Sequence, residues 1–425
     1  MSQDYSIENI LQIQDPNIKC ISIDNSDPKK QVIYAKLTYS IKNCPLCGQS
    51  QVVRFGTNLI NVRMPPIKER PVILKLLKQR YLCKRGQHTF SAETSLVKPH
   101  CQISEDTKQM IILQLTKDRS ITDIAEELNV SPVAVNRVLD SLAIQTKTAL
   151  LTLPTTLCFD EFRSTGHQMS FIAIDGDTHR LVSVLPNRLN RSIQNHFESN
   201  YSLAERRKVK QVVIDFNAQY QSVIHIIFPE AKIIADNFHL VQMGLQALNQ
   251  TRVQLMHRFT QNSREYRVLK HHWRLFLKTY SGLNQRKPQW FAHLKNWFTQ
   301  EQLVWQGLEL DSTYQHTYFV AHSLVDALRN RDYLKFIKTL NQADKVSPQL
   351  ETTIKTYRKY LPLIKNMMAS NYSNGPLEGV NRKIKQIKRT AYGYRNWSHF
   401  YTRIRIEFTI RIKKENQFEN ELIFL

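Results

Sequence analysis

Two sets of side chains in this 425-residue chain have the types and spacing for metal chemistry. In "NCPLCGQ", Cys44 and Cys47 form a Cys-x-x-Cys pair, and Pro45 and Gly48 shape a tight turn able to aim both thiolates at one ion. The segment "YLCKRGQHTF" supplies a second half, Cys83 followed by His88. Four thiolate or imidazole ligands in a tetrahedron suit Zn²⁺, and a closed set of four protein ligands makes a structural rather than a catalytic site. His100 and Cys101 are a substitute for His88, and two free buried thiols with an incidental histidine are the plainer alternative. Cys20 and Cys158 read as core thiols.

The second set is carboxylates. Asp160 interrupts the apolar strand "TLCFDEF". An unpaired buried charge is costly, so this side chain must be paired, solvated in a cleft or bound to metal. "KQVVIDF" and "AKIIAD" are nearly unbroken apolar strands that end in Asp215 and Asp236, with the helical "NAQYQSVIHIIF" between them. Strand–helix–strand with apolar strands implies a parallel pair, and sites form at the carboxyl ends of such strands. Either aspartate could instead cap the helix that follows it. Asp175 and Asp177 flank Gly176 and read as turn residues of a hairpin. Glu378 heads a stretch, from Gly379 to Ile406, that holds eight Lys or Arg and no acid.

Elements must position these residues. The run "PVILKLLKQRYLC" alternates as a strand, residues 101–150 turn helical, and short β-rich runs return between 155 and 236. Residues 240 to about 368 read as a long helical block. Trp290, Leu294 and Trp297 share helical spacing and, with Trp273 and Trp305, are expected in its core; stacking on a flipped base is the other use of such a tryptophan. From Leu377, the apolar Val380, Ile384, Ile387 and Ala391 recur at helical spacing and predict a buried face. Glu378, Arg382, Lys385 and Arg389 form a second line, about 200° round the helix. That line is either a solvated face with a Glu378–Arg382 pair or a phosphate-binding ridge headed by a carboxylate.

"SITDIAEELNVSPVAVNRVLDSL" has helix-turn-helix grammar. Ile124, Ala125 and Leu128 make one apolar face and Val135, Val138 and Leu139 another, with "NVSP" breaking the helix between them. Ser131 suits the cap of the second helix and Pro132 its first position. That helix would present Ala134, Asn136 and Arg137 to a major groove; an ordinary helical hairpin is the alternative.

The formal net charge of +23 points to a polyanionic partner, double-stranded DNA before a membrane surface. No apolar run approaches a membrane span, "MSQDYSIENI" lacks the layout of a signal peptide, and close-spaced cysteines suit a reducing cytoplasm.

Taken together, "CPLCG", the helix-turn-helix, "FDEF", "VVIDFNAQY", "ADNFHL" and "SNGPLEGVNRKIKQIKRTAYGYRN" resemble the bacterial insertion-sequence transposases of the ISL-three family, in order over about residues 40–412. The resemblance implies a multidomain α+β chain. Its parts are an N-terminal segment (1–40), a zinc-binding β module (41–100), a helix-turn-helix DNA-binding domain (101–150), the first part of an RNase H-like core (151–239), a large helical insertion (240–370), and the last core helix with a basic tail (371–425). It also implies a catalytic triad of Asp160, Asp215 and Glu378, with Asp236 and His239 supporting it. The zinc ligands would be Cys44, Cys47, Cys83 and His88, although the family commonly has a fourth cysteine where His88 stands. Three carboxylates in one cleft repel, and two Mg²⁺ (or Mn²⁺) roughly 3.5–4 Å apart would neutralise them while activating the attacking oxygen and stabilising the leaving one. The expected function is binding of an element's terminal inverted repeats, then strand cleavage and strand transfer, by a homodimer or higher oligomer on DNA. A sequence-specific DNA-binding regulator with an inactive core is the rival reading, and retention of all three carboxylates argues against it.

Overall fold

The computed structural model describes residue 11 and residues 13–145, 152–215, 220–412 and 422–424. The chain divides into two compact units: Met1–Thr148 with Ser164–His167 and Arg382–Leu425, and Ala149–Arg163 with Gln168–Asn381.

The first unit opens with strands β1 (Ile18–Asp24), β2 (Gln31–Leu37), β3 (Val52–Ile67), β4 (Arg70–Cys83) and β5 (His88–Ser91). They form one sheet in the order β1-β2-β4-β3, with β5 paired to β4. The N-terminal segment 1–40 thus supplies two strands of the sheet that carries Cys83. Strand β4 buries Leu74 and Leu76 and then, in the opposite phase, Tyr81 and Cys83. A register shift between Arg54 and Thr57 of β3 lies at this change, with Gly56 at φ +72° and its carbonyl accepting from Gln79 Nε2 at 2.8 Å. An extra residue opposite a strand shifts its pairing by one, and such a slip changes which face a side chain meets. Alternation along β4 itself places Cys83 on the face opposite Leu74 and Leu76, where it is buried.

Three helices follow: α1 (Glu105–Leu115), α2 (Ile121–Glu127) and α3 (Pro132–Gln145). Ser104 caps α1, Ser120 and Asp123 make a reciprocal capping box on α2, and Ser131 Oγ accepts from the Ala134 N–H at 3.2 Å at the head of α3. Asn129 takes φ +51° in the turn between α2 and α3. Ile124, Ala125, Leu128, Val135, Val138 and Leu139 are all buried in one cluster, the two apolar faces read from the sequence.

The second unit is built on a five-stranded sheet of β6 (Thr156–Arg163), β7 (Met169–Asp175), β8 (Leu181–Leu185), β9 (Gln211–Ile214) and β10 (Lys232–Ala235), in the order β10-β9-β6-β7-β8. Strands β6, β9 and β10 are parallel, while β7 runs antiparallel to β6 and β8 antiparallel to β7. This mixed topology is that of an RNase H-like core. Helix α4 (Asn190–Asn200) and helix α5 (Gln221–Ile227) cover one face, where Phe159, Phe171, Phe197 and Phe228 pack together. The start of the helical reading after Asp215, residues 216–219, lies outside the described residues.

Helix α6 (Asn237–Met256) leads into a block that is mostly helical but also contains a hairpin, β11 (Gln289–Phe291) and β12 (Asn296–Phe298). Helices α7 (Ser312–Arg329) and α8 (Pro348–Lys359) pack on α6. Gly244 permits this approach, since a Cβ there would sit 3.1 Å from both Val325 and the Tyr357 hydroxyl. Helix α9 (Leu361–Ala369) returns to the edge strand, with Asn366 Nδ2 donating to Ile233 O at 3.1 Å.

Helix α10 (Gly375–Thr390) buries Leu377, Val380, Ile384 and Ile387, as their spacing predicts, and exposes Glu378, Arg382, Lys385 and Arg389. Helix α11 (Trp397–Thr409) belongs to the first unit and packs on α3, with Ile406 inside the helix-turn-helix core. Residues 413–421 of the basic tail lie outside the described residues.

Candidate functional site

Strand register aligns three aspartates. Phe159 pairs with Ile214 and Ala235 pairs with Ile214, so Asp160, Asp215 and Asp236 follow at one level on three adjacent parallel strands. Phe159 is buried on the helix-covered face, and alternation sends Asp160 to the other. There it accepts from Asn381 Nδ2 at 2.7 Å and from the Glu161 N–H at 2.7 Å. Burial, with the nearby Asp215 and Glu161 carboxylates, raises the Asp160 pKa to about 6. Glu161 is engaged elsewhere, by Arg188 and by the Tyr220 hydroxyl.

His239 Nδ1 lies 2.9 Å from Asp215 Oδ1 and 3.2 Å from Asp236 Oδ2. Hydrogen bonding to Asp215 first, then to Asp236, raises its pKa to about 10, so an imidazolium stands between the two carboxylates. Asp236 occupies the N-cap position of α6, the alternative its sequence context offered, yet its side chain makes no capping bond. It is 5% exposed, and its Oδ1 accepts instead from the Asn374 N–H at 3.4 Å.

Asn374 immediately precedes α10, and Asn381 lies two turns further on. Asn374, Glu378 and Asn381 are spaced four and three residues apart, one stripe of a helix. The ends of that stripe are tied to Asp236 and Asp160, so Glu378 between them is carried toward the ends of β10 and β6. The three aspartates are aligned at one strand level. Among the described residues, the set drawn within reach of a single ion is a different one, the Cys/His cluster. The carboxylates here offer only oxygen, and the Oδ1 atoms of Asn374 and Asn381 are buried without a hydrogen-bond partner, whereas the His239 nitrogen is engaged with Asp215 and Asp236. An oxygen-only donor set fits a hard divalent cation. Asn374 and Asn381 escaped the sequence reading, because amides in a basic helix carry no signal of the aspartates they meet.

Asp236 and Glu378 also line a cleft of about 720 Å³ with Phe238, Trp273 and Arg329. Trp273 is therefore at a cleft rather than fully in a core. Trp290 and Trp297 overturn the helical-face expectation more clearly: they are directly opposed across the β11–β12 hairpin, 51% and 61% exposed. Positions seven apart meet on a helix, and they also meet across a hairpin whose turn lies midway.

The candidate metal centre in the first unit is compact. Ligand atoms of Cys44, Cys47, Cys83 and His88 all lie within 4.8 Å of one another, with Cys44 Sγ 3.0 Å from His88 Nε2 and Cys47 Sγ 3.6 Å from Cys83 Sγ. These separations fit the edges of a zinc tetrahedron with ligand bonds of about 2.0–2.3 Å. Burial pushes the Cys44 thiol up, but hydrogen bonds from His88 and the Leu46 and Cys47 N–H groups outweigh it and bring the pKa to about 6. His88 Nδ1 is 3.0 Å from the Gly86 carbonyl, which orients the ring. Cys101, the substitute considered from sequence, lies instead 3.9 Å from Lys108 Nζ.

On the recognition helix α3, Arg137 is exposed and Asn136 half-buried. Val133, which the sequence reading passed over, is 58% exposed at the head of this helix.

Comparison with known proteins follows the same order along the chain. A zinc-finger profile of the transposases IS204/IS1001/IS1096/IS1165 matches residues 42–86, a helix-turn-helix profile of transposase family ISL3 matches residues 92–143, and the ISL3 transposase profile matches residues 157–404. The transposase for insertion sequence element IS1001 of Bordetella parapertussis is 23% identical over 413 residues, 96% of each chain. A Lactococcus lactis subsp. lactis protein described as an ATP-dependent protease is 33% identical over 123 residues, which span 29% of this chain and only 40% of that relative. Among solved structures, the Drosophila P element transposase strand transfer complex aligns with a TM-score of 0.33 and 11% identity over 76% of this chain and 93% of its own. No helix among the described residues is long and apolar enough to cross a membrane. With the transposase profile spanning more than half of its length, the chain belongs to the ISL3 family of insertion-sequence transposases.

Proposed function

We propose that this transposase binds the terminal inverted repeats of its insertion sequence and catalyses metal-dependent strand cleavage and strand transfer. The observation that carries the reading is the common level of Asp160 and Asp215 on adjacent strands, with Asn381 joining α10 to Asp160. Asp160, Asp215 and Glu378 would hold two Mg²⁺ (or Mn²⁺), which supply activation of the attacking oxygen and stabilisation of the leaving one. The attacking group is water in cleavage and a DNA 3′-hydroxyl in joining, and no side chain becomes covalently attached. Asn381 fixes the Asp160 carboxylate, and His239 bridges Asp215 and Asp236 through its Nδ1. Asp236 and His239 are positioning residues. Asn136 and Arg137 read base edges, while Arg382, Lys385 and Arg389 hold phosphates. Cys44, Cys47, Cys83 and His88 hold one structural Zn²⁺. A homodimer or higher oligomer assembles on the DNA, because an element has two ends.

The test is cleavage of duplex element ends by purified protein with Mg²⁺ or Mn²⁺. Asp160→Asn and Asp215→Asn abolish cleavage with the fold and end binding intact, whereas Asp236→Asn keeps measurable activity. An active Asp215→Asn beside an inactive Asp236→Asn would transfer the ligand role to the later strand. Parental cleavage by Asp160→Asn would remove that residue from the triad, and end binding without cleavage by the parent itself would leave a DNA-binding regulator.

A further inference from the structure

We propose that the loop following α10, residues 391–396, is a further DNA-contacting element, in addition to α3 and the basic line of α10, that grips the phosphate backbone beside the groove entered by α3, with Tyr392 and Arg395 as its contacts. The inference rests on the reading of α3 as the recognition helix.

The first observation is a residue in the wrong conformation for its type. Helix α10 ends with Gly393 N–H bonding to Lys388 O at 2.9 Å and Tyr392 N–H bonding to Arg389 O at 3.0 Å. This is the paired-bond ending in which one residue takes the left-handed conformation, usually glycine. Here Tyr392 takes it, at φ +53°, one residue before a glycine at φ +99°. A Cβ is disfavoured there, so tyrosine needs a compensating contact. Beyond those two backbone bonds the fold covers little of its side chain, since Tyr392 is 98% exposed. A strained, fully exposed aromatic points to a partner outside the chain.

The second observation says which partner. The loop and the helix-turn-helix line one concavity of about 460 Å³, with Asn136 of α3 and Ser120–Asp123 on one side and Tyr392, Gly393 and Arg395 on the other. The loop is held in place: Tyr394 stacks on Phe400 at 4.8 Å, and His399 Nε2 lies 3.0 Å from Asp140 of α3. Arg395 is exposed, and the acid in the lining, Asp123, is engaged in its capping box. A tyrosine hydroxyl and a guanidinium presented beside a recognition helix are ordinary phosphate contacts. A nucleic-acid backbone therefore fits this rim better than a protein surface.

The experiment measures binding of the full chain to an element-end duplex and its salt dependence, with melting temperature and oligomeric mass recorded alongside. Tyr392→Gly relieves the strained position, so its Tm is equal to or above the parent's. A residue kept only for structure would then bind as well or better. We expect about tenfold weaker end binding despite the firmer fold, roughly the loss of one good contact. Arg395→Ala should lower the log–log salt slope by about 0.9. Arg137→Ala is the control for the underlying reading. If it weakens end binding while Tyr392→Gly and Arg395→Ala do not, the loop proposal alone is overturned. If Arg137→Ala binds as the parent does, the recognition helix itself has been misassigned and the shared surface falls with it. A Tyr392→Gly protein that binds DNA normally but changes oligomeric mass would place a protein on the loop and overturn the proposal.

Discussion

At the scale of single residues, the zinc cluster makes the sharpest demand. Gly86 lies between Cys83 and His88, and a Cβ on it would fall 2.3 Å from His88 Cε1 and 3.4 Å from Cys47 Sγ. The ring cannot give way without leaving its place 3.0 Å from Cys44 Sγ. Gly86→Ala is therefore expected to lose the metal that the parent keeps, one Zn²⁺ per chain, and to behave like Cys44→Ser in weakened end binding. Metal content by elemental analysis of the purified variants checks this; Gly86→Ala with full zinc would mean the knuckle accommodates the methyl group. His88→Ala separates the ligand question, since retained zinc there would move the fourth ligand to His100 or Cys101. The thiols were legible because their spacing is itself the chemistry. Asn374 and Asn381 were not, since each meets its aspartate across more than 130 residues of chain.

Elements were legible where one periodicity stood without a competitor. The strands ending in Asp215 and Asp236 announce themselves as apolar runs closed by an acid, and α10 buries Leu377, Val380, Ile384 and Ile387 as expected, while Ala391 falls one residue past the helix end and is half-buried. Trp290 and Trp297 failed because their spacing satisfies both a helix face and a hairpin, and the turn near Lys295, at φ +50°, decided for the hairpin. Helix α11 was the larger omission. Arg403 and Glu407 form a buried pair with Nε 2.9 Å from Oε1, and the Arg403 guanidinium also donates to the carbonyls of Lys117 and Arg119 in the turn between α1 and α2. A helix near the chain's end thus clamps the helix-turn-helix. Removing one partner of such a pair leaves a buried charge, so Arg403→Ala should cost about 3–5 kcal/mol of stability. A double replacement, Arg403→Met with Glu407→Leu, should recover much of it. Denaturant unfolding tests both, and an Arg403→Ala loss no larger than about 0.5 kcal/mol, as at an ordinary surface site, would refute the clamp.

For the whole molecule, the charge of +23 correctly announced a DNA partner but not how the charge is deployed. Helix α10 carries that information. It exposes a line that begins with a carboxylate and continues as Arg382, Lys385 and Arg389. If Glu378 helps hold the catalytic cations, Glu378→Gln deletes a negative charge where phosphate approaches. DNA binding should then hold or tighten while cleavage disappears. Arg382→Ala, Lys385→Ala and Arg389→Ala should do the reverse. Each lost phosphate contact lowers the log–log salt slope by about 0.9 and weakens cognate and unrelated DNA alike. An exposed ion pair is worth at most about 1 kcal/mol, so if the line is only a solvated face, all four variants cut and bind much as the parent does. Cleavage and salt-dependent affinity measured on the same proteins therefore distinguish the two. Near-parental cutting by Glu378→Gln would remove this carboxylate from the triad, leaving Asp160, Asp215 and Asp236 at their common strand level as the remaining acids to hold metal.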